Sequence, residues 1–199
     1  MIIRATALVT YQDYMNDVIT YDELMNRYRG LDKPSVFMQA GTAYHELVEG
    51  FTMSNDLFDT KAQQLAMSIG SEFVFKELRR SKMLTVRGRD VVLTGKVDGI
   101  SGDVIHDVKT KYSYIDADCI AKYTNSHQGL VYCYLFEKRQ VTYHIVNLKK
   151  TKDEYSLTDY CTFDVFFDDV NEKTERLLTE FVSFLIDHDL EQYFQNEIL

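Results

Sequence analysis

The chain has 199 residues, enough for one domain, or one domain with a helical appendage, around a continuous core, and a two-domain division is not expected. An apolar share of 45% with 27% charged residues excludes a disordered chain. The net charge of -9 disfavours a protein that coats nucleic acid nonspecifically, because neutralising phosphates requires clustered Lys and Arg. The opening MIIRATALVTYQDYMND contains Arg4 and Asp13 and predicts neither a signal peptide nor a spanning helix, so we expect a soluble cytoplasmic protein.

The first half of the chain has helical patterns. TYDELMNRYR predicts a short helix with Thr20 as N-cap and Glu23 completing a capping box. After the loop around Pro34, both VFMQAGTAYHELVEGFTM and DTKAQQLAMSIGSEFVFKELRR have apolar residues at helical spacing. We therefore expect a helical N-terminal part, about residues 1–82.

The second half changes to a β pattern. Residues 83–112 predict a β-meander with turns at RGRD and SGD, and helical spacing returns in residues 115–138. Two further strands are predicted in RQVTYHIVNLKK and SLTDYCTFDVFFD, before an amphipathic C-terminal helix at about 170–195. This order of helices, antiparallel strands, helix, strands and helix predicts a mixed α/β fold, a single domain over residues 1–199 with a central sheet flanked by helices.

The three cysteines, Cys119, Cys133 and Cys161, are widely spaced and form no CxxC pair. That spacing argues against a disulfide framework, a zinc site or an all-cysteine iron–sulfur cluster. We expect them to be buried apolar residues.

The hairpin TGKVDGISGDVIHDVKTK carries an unusual set of charges. Because side chains alternate along a strand, Asp98 shares a face with Lys96, and Asp107 shares one with Lys109. If pairing brings those faces together, the two carboxylates repel unless a hard divalent cation lies between them, and Lys109 could orient a water and stabilise a phosphate. Asp, Lys and Gly are also common in solvated hairpins, so the hairpin alone fits a metal site and a solvent-exposed turn equally well.

Two helical segments flank the hairpin. GTAYHELVEG places His45 in a helix, with Gly41 allowing close packing against a sheet, and imidazole complements two carboxylates around Mn²⁺. SHQGLVYCY places Gln128 and Tyr132 on one helix face, where an amide and a phenol can meet a phosphate or a base. Each has a structural alternative, namely a buried histidine and the polar edge of an amphipathic helix.

Basic residues are clustered despite the acidic composition. Phosphate contacts are one interpretation of these clusters, and solvated helix ends and turns are at least as consistent with any single residue. The first cluster comprises Lys76, Arg79, Arg80, Lys82, Arg87 and Arg89, and the second Lys149, Lys150 and Lys152.

Together these segments resemble the RecB-type branch of the PD-(D/E)xK nuclease superfamily, which includes compact phage-type and mitochondrial-genome-maintenance-like exonucleases. The branch's four motifs occur in order over roughly residues 20–135. Val97 stands where the superfamily's name has proline, and the four-cysteine iron–sulfur clamp of some members and any helicase motif are missing. The motifs read GTAYH (41–45), GKVD (95–98), DVK (107–109) and QGLVY (128–132).

The resemblance implies a restriction-endonuclease-like fold and a Mg²⁺- or Mn²⁺-dependent deoxyribonuclease, an exonuclease acting on single-stranded or duplex DNA ends. It implies one or two metal ions and no iron–sulfur cluster. The metal ligands would be His45, Asp98, Asp107 and the Val108 carbonyl. The catalytic residues would be Lys109, Asp98 and Asp107. Substrate would be contacted by Gln128 and Tyr132 and by the basic residues Arg79, Arg80, Lys82, Arg87 and Arg89.

Further expectations concern partners and alternatives. Candidate protein partners are a helicase, a recombinase or a single-strand-binding protein, and no membrane association is expected. Glu49, one turn beyond His45, fits a supporting position beside the metal and a solvent-facing position equally well. The alternatives to an enzyme are a nuclease fold used as a binding or regulatory module, such as a phage inhibitor of a host complex, and a structural subunit that docks through its terminal helix.

Overall fold

The structure is a computed structural model that describes residues 1–51 and 55–195. None of its helices is long and apolar enough to cross a membrane. Short 3-10 helices occur at Asn55–Leu57 and Glu191–Phe194. The other elements in these ranges are β1 (Ile2–Arg4), α1 (Ala5–Met15), α2 (Tyr21–Tyr28), α3 (Val36–Glu49), α4 (Thr60–Glu72), β2 (Phe75–Val86), β3 (Arg89–Ser101), β4 (Val104–Lys111), α5 (Ala117–Thr124), α6 (His127–Phe136), β5 (Gln140–Lys150), β6 (Tyr155–Phe166) and α7 (Val170–Asp187).

All six strands form one mixed sheet, in which β3 is the branching strand. Antiparallel β2 pairs along one edge of β3. The other edge is shared by parallel β1, opposite residues 92–94, and antiparallel β4, opposite residues 99–101. Among the described strands, none pairs with residues 95–98 on that edge, so a notch separates β1 from β4. Beyond β4 follow β5, in parallel, and then β6, antiparallel.

Helices cover both faces of the sheet. One buried cluster joins α1, α6 and α7 to the strands and includes Tyr143 and Ile145 of β5. The other joins α3 and α4 to the strands and includes Val146 and Leu148 of the same strand. Because successive residues of a strand point to opposite faces, the two clusters lie on opposite sides of the sheet. The structure confirms the predicted mixed α/β fold with a central sheet between helices.

Local capping follows the sequence signals. The Thr20 hydroxyl accepts from the backbone N–H of Glu23, and the Glu23 carboxylate accepts from the N–H of Thr20, which is the expected capping box. The Ser35 hydroxyl caps α3 by accepting from the N–H of Met38, and α3 ends at Gly50, whose φ of 102° is left-handed. These contacts set the limits of the helix that carries His45.

The N-terminal part is less helical than predicted. Helix α4 ends at Glu72, Phe73 is extended, and residues 75–86 form β2, although their apolar spacing resembles a helix. Pairing with β3 over almost its whole length satisfies the backbone groups on one edge of β2, and this long-range pairing outweighs local helix preference. Both β1 and α1, which the sequence did not indicate, lie at the start of the chain.

Two further differences concern the second half of the chain. The predicted helical segment 115–138 is divided into α5, which ends with Asn125 as its C-cap, and α6, whose N-cap Ser126 accepts from the N–H of Gln128. These helices form the crossover that lets β5 run parallel to β4. The terminal helix α7 ends at Asp187 rather than near 195.

Gly70 allows α4 to lie directly against α3. A Cβ atom added to Gly70 would be 2.1 Å from the carbonyl oxygen of Val48, a backbone atom that cannot move by itself. The ammonium of Lys76 donates to the same carbonyl, at 3.0 Å. The position of α3, and of His45 upon it, therefore depends on this close approach.

Gly70→Ala should destabilise the protein by about 1–3 kcal/mol, because the new methyl group must push the two helices apart. In a helix without this contact the same change would stabilise by about 1 kcal/mol, so the sign of the change is decisive. Urea unfolding measures the difference. Ser71→Ala, at the exposed neighbouring position, is the control and should change the free energy of unfolding by less than about 0.5 kcal/mol.

Candidate active site

An open cleft of about 1200 Å³ lies over the notch between β1 and β4. Its floor comes from β3 and β4, and α3 and α6 supply its sides. This volume exceeds what a small ligand usually needs and suits a segment of a polymer. The cleft brings together the predicted site residues His45, Asp98, Asp107, Lys109, Gln128 and Tyr132.

Asp98 lies where the β3–β4 ladder stops. The last backbone pair of the ladder is Gly99 with His106, and continuing the register would place Asp98 opposite Asp107. Instead, the Asp98 carboxylate accepts the backbone N–H of Val108, with 2.7 Å between Oδ2 and N. A side chain thus replaces the backbone acceptor, so the strands can separate here without leaving a buried N–H unpaired.

The strand is irregular at this point. Glu77 of β2 and Asp98 of β3 would be opposite each other, yet neither belongs to the paired register, and Glu77 has a left-handed φ of 54°. Val97 and Ile100, three residues apart, both pack into the cluster that contains α6. Simple alternation, from which the face of Asp98 was predicted, therefore fails here. Left-handed non-glycine residues are costly and concentrate at functional sites.

His45 reaches the site from α3. A Cβ atom on Gly41 would be 2.8 Å from the Thr110 hydroxyl of β4, so glycine allows this helix to approach the sheet, as predicted. One turn later, Nδ1 of His45 lies 3.3 Å from Oδ1 of Asp98. The two carboxylate oxygens of Asp98 are therefore shared between α3 and β4.

Asp107, Lys109 and Gln128 form a chain of polar contacts that ends at Tyr132. The Lys109 Nζ lies 3.0 Å from Oδ1 and 2.8 Å from Oδ2 of Asp107, and it donates to Oε1 of Gln128 at 2.9 Å. The Gln128 amide then donates to the Tyr132 hydroxyl at 2.8 Å. Asp107 is only 2% exposed, and its Oδ2, although close to the ammonium, has no hydrogen-bond donor among the described residues.

Burial and neighbouring charges move the pKa values of the three titratable groups apart. Burial raises the pKa of Asp107, and Lys109 only partly opposes this. Burial also raises the pKa of Asp98, but His45, Lys109 and the Val108 N–H together outweigh it and the pKa is lowered. For His45, burial lowers the pKa, but the Asp98 carboxylate more than compensates, so the pKa is raised. Such divergence within one cleft is typical of a functional site.

The donor set suits a divalent cation. An imidazole and two carboxylates lie within one cleft, and Asp107 Oδ2 is a buried oxygen that lacks a hydrogen-bond donor among the described residues. Mg²⁺ and Mn²⁺ prefer such oxygen-rich sites. The structure places the N–H of Val108 on Asp98, while the predicted ligand role of the Val108 carbonyl stays a prediction.

Of the first basic cluster, Arg79 lines the cleft. The guanidinium of Arg80 lies over the Phe136 ring at 5.5 Å, and Lys82 donates to the Tyr134 carbonyl at 3.1 Å. Arg87 lies in the turn after β2, and Arg89 forms an ion pair of 2.7 Å with Glu191. The predicted contacts of these last four residues with substrate stay predictions.

Sequence reasoning missed several residues of the cleft. Arg4 comes from β1, and Glu77 of β2 contacts the ammonium of Lys96. The sequence alone places Lys96 on the same strand face as Asp98, two residues before it. Glu77 can be located only once the pairing of β2 with β3 is known. Glu49 also lines the cleft, and burial together with Glu77 raises its pKa.

No protein-family model and no curated protein sequence matches this chain. Solved structures do match. An alkaline exonuclease from Laribacter hongkongensis is 14% identical, with a TM-score of 0.55, over 96% of this chain and 90% of that one. The same enzyme is also known in complex with dAMP. A phage-related exonuclease from Haemophilus somnus 129PT is 12% identical, with a TM-score of 0.52, over 94% of this chain and 96% of that one.

The chain has the restriction-endonuclease-like fold of these exonucleases. The structural neighbours confirm the restriction-endonuclease-like arrangement of sheet and helices that the resemblance implied. At these identities the likeness concerns the fold, so the roles of individual residues must be argued from the contacts described above.

Asp98→Ala should destabilise the metal-free protein by about 1–3 kcal/mol, because it leaves the Val108 N–H without an acceptor. Asp98→Asn should recover most of that loss, since its amide oxygen can accept the same hydrogen bond. Urea unfolding with a chelator present compares the two variants. An equal loss in both would contradict a structural role for the hydrogen bond to Val108.

Proposed function

We propose that the protein is a Mg²⁺- or Mn²⁺-dependent deoxyribonuclease, an exonuclease that hydrolyses phosphodiester bonds at DNA ends. The observation that carries the proposal is the convergence of His45, Asp98, Asp107 and Lys109 in one cleft of a nuclease fold. These residues come from three elements, so chance spacing in the sequence does not account for their meeting.

His45, Asp98, Asp107 and the Val108 carbonyl would hold one or two metal ions. When bound, such ions polarise a phosphate and lower the pKa of the attacking water. The protein's part is to provide these ligands in a fixed arrangement, which the Val108–Asp98 hydrogen bond and the packing of α3 on β4 support.

Lys109 would serve the reacting phosphate directly. Its ammonium is held between Asp107 and Gln128, so it cannot swing freely into solvent. In that position it can orient the water whose oxygen forms the new P–O bond as the bond from phosphorus to the leaving sugar oxygen breaks. It can also stabilise the negative charge on the phosphate oxygens. Gln128 both positions this lysine and, with Tyr132, faces the cleft where substrate would lie.

Arg79 and Arg4 would attract the DNA backbone. Both line the cleft, which otherwise contains an excess of carboxylates in an acidic protein. Local cations beside a metal centre can supply the positive potential that net charge does not. The remaining basic residues of the first cluster would affect binding less, since Arg80, Lys82 and Arg89 have partners elsewhere.

The structural neighbours support digestion from ends, because two of them are named as exonucleases and one was solved with dAMP, a monomer of DNA. A role in replication, recombination or repair, in a phage, would follow. A helicase, recombinase or single-strand-binding protein would then be the partner that prepares the ends.

The alternative, a nuclease fold used only for binding or regulation, has less support from the site. Burying Asp107 at 2% exposure costs free energy, and a protein without chemistry gains nothing from it. The same applies to the ordered chain from Asp107 through Lys109 to Tyr132.

Lys109→Ala should keep DNA binding and lose Mn²⁺-dependent cleavage by at least about 100-fold, because the ammonium acts on the reacting phosphate. Gel-based cleavage of labelled DNA and an equilibrium binding assay separate the two effects. Lys111→Ala removes a lysine two residues further along the same strand, outside the cleft, and is the matched control. Undiminished cleavage by the Lys109 variant would overturn the assignment.

End-labelled linear DNA should be degraded with Mg²⁺ or Mn²⁺, whereas covalently closed circles should survive, because an exonuclease needs an end. The rates are compared for single-stranded and duplex forms of both substrates. Degradation of circles as fast as linear DNA would show an endonuclease, and no cleavage of any form would favour the binding module.

A further inference from the structure

A second group of metal-ligating side chains lies outside the candidate active site. Glu72 at the end of α4, His106 of β4 and His144 of β5 each offer a ligand atom, and these atoms lie within 4.8 Å of one another. We refer to the three residues as the histidine cluster. His106 is adjacent to Asp107 in β4, so its side chain points to the opposite face of the sheet. The proposed nuclease reaction makes no use of it.

The two histidines are buried and contact each other. His106 is 6% exposed and His144 is 1% exposed, and the Phe73 ring packs 4.9 Å from that of His106. Nδ1 of His106 lies 3.0 Å from Nε2 of His144, whose Nδ1 lies 2.9 Å from the Tyr160 hydroxyl. Burial of a polar pair among aromatic rings needs compensation for lost hydration.

Counting protons shows that the compensation is incomplete. A neutral imidazole has one N–H and one lone pair, so the contacts from Tyr160 through His144 to His106 use one nitrogen of His106 only. In either tautomeric arrangement these contacts do not involve Nε2 of His106. That nitrogen is buried and has no hydrogen-bond partner among the described residues. Unpaired buried nitrogens are uncommon in native proteins and call for a missing ion, water or ligand.

We propose that the histidine cluster is a second cation site, which takes a divalent transition metal, with Zn²⁺ the best suited. Two imidazoles and one carboxylate are a recognised zinc donor set, with water in the fourth position. Glu72 is exposed and would give that water access to solvent. Nitrogen ligands distinguish this site from the oxygen-rich cleft, which suits Mg²⁺ or Mn²⁺.

The cluster needs only a small rearrangement to hold the ion. Nitrogen and oxygen ligands lie about 2.0–2.2 Å from Zn²⁺. Because the three ligand atoms already lie within 4.8 Å of one another, side-chain shifts of about 1 Å or less would bring them to these distances. Both histidines are on paired strands, while Glu72 is exposed at the end of α4. To bind the ion through Nε2, His144 would give up its contact with Nδ1 of His106 and keep the contact of its Nδ1 with the Tyr160 hydroxyl.

Occupancy would have a structural effect. Glu72 belongs to α4, whereas His106 and His144 belong to the strands behind the candidate active site. An ion bound to all three would cross-link the end of α4 to the strand that carries Asp107. Because metal bound only to the folded state stabilises it, Zn²⁺ should also raise the unfolding temperature.

Zinc binding can be measured apart from the active site. The full chain carrying His45→Asn and Asp98→Asn lacks two donors of the cleft but keeps the histidine cluster. Stripped of metal and titrated with Zn²⁺ alone against a chromogenic chelator, it should bind one ion per chain. Adding Glu72→Gln should weaken binding about tenfold or more, and adding His144→Gln should abolish it.

His188→Gln, at an exposed histidine away from the cluster, is the matched control and should leave zinc affinity unchanged. If His144→Gln does not fold, Glu72→Gln still decides the question, since Glu72 is on the surface. No bound zinc, or affinity unaffected by Glu72→Gln, would overturn the proposal. Neither result depends on nuclease activity.

Discussion

The hydrogen bond from the Val108 N–H to the Asp98 carboxylate is the contact on which the site depends. It ends the β3–β4 ladder without leaving a buried donor unpaired, and so lets the sheet open at residues 95–98. The opening exposes both carboxylates to one cleft, and the second oxygen of Asp98 receives His45. A regular hairpin would have filled the same space with backbone hydrogen bonds.

The carboxylates of the candidate active site are electrostatically unfavourable, and the surrounding fold keeps them in place. Asp107 is buried next to another carboxylate, and Lys109 only partly offsets the cost, as the raised pKa of Asp107 shows. The packing of the layers around the cluster offsets this cost in free energy. Gly41 and Gly70 allow α3 to approach the sheet and α4 closely, which keeps the costly groups in position.

Local interactions were readable from the sequence, and long-range ones were not. The capping box of Thr20 and Glu23 and the two-residue spacing of Asp107 and Lys109 are properties of short segments, and the structure reproduces them. The first part of β2, residues 75–82, was taken for a helix, because its pairing with β3 has no local signal. Glu77 needs that register to be placed, and the histidine cluster needs the parallel pairing of β4 with β5.

The first basic cluster lies largely on β2, an edge strand of the sheet, and this position gives its charges a second role. Among the described strands β2 has no neighbour beyond β3, so its outer N–H and C=O groups could pair with another chain. Charged side chains, lysine and arginine above all, hinder that kind of association on edge strands. The strand carries Lys76, Arg79, Arg80 and Lys82. Whatever these residues contribute to DNA binding, their charge also hinders this edge from pairing with the strand of another chain.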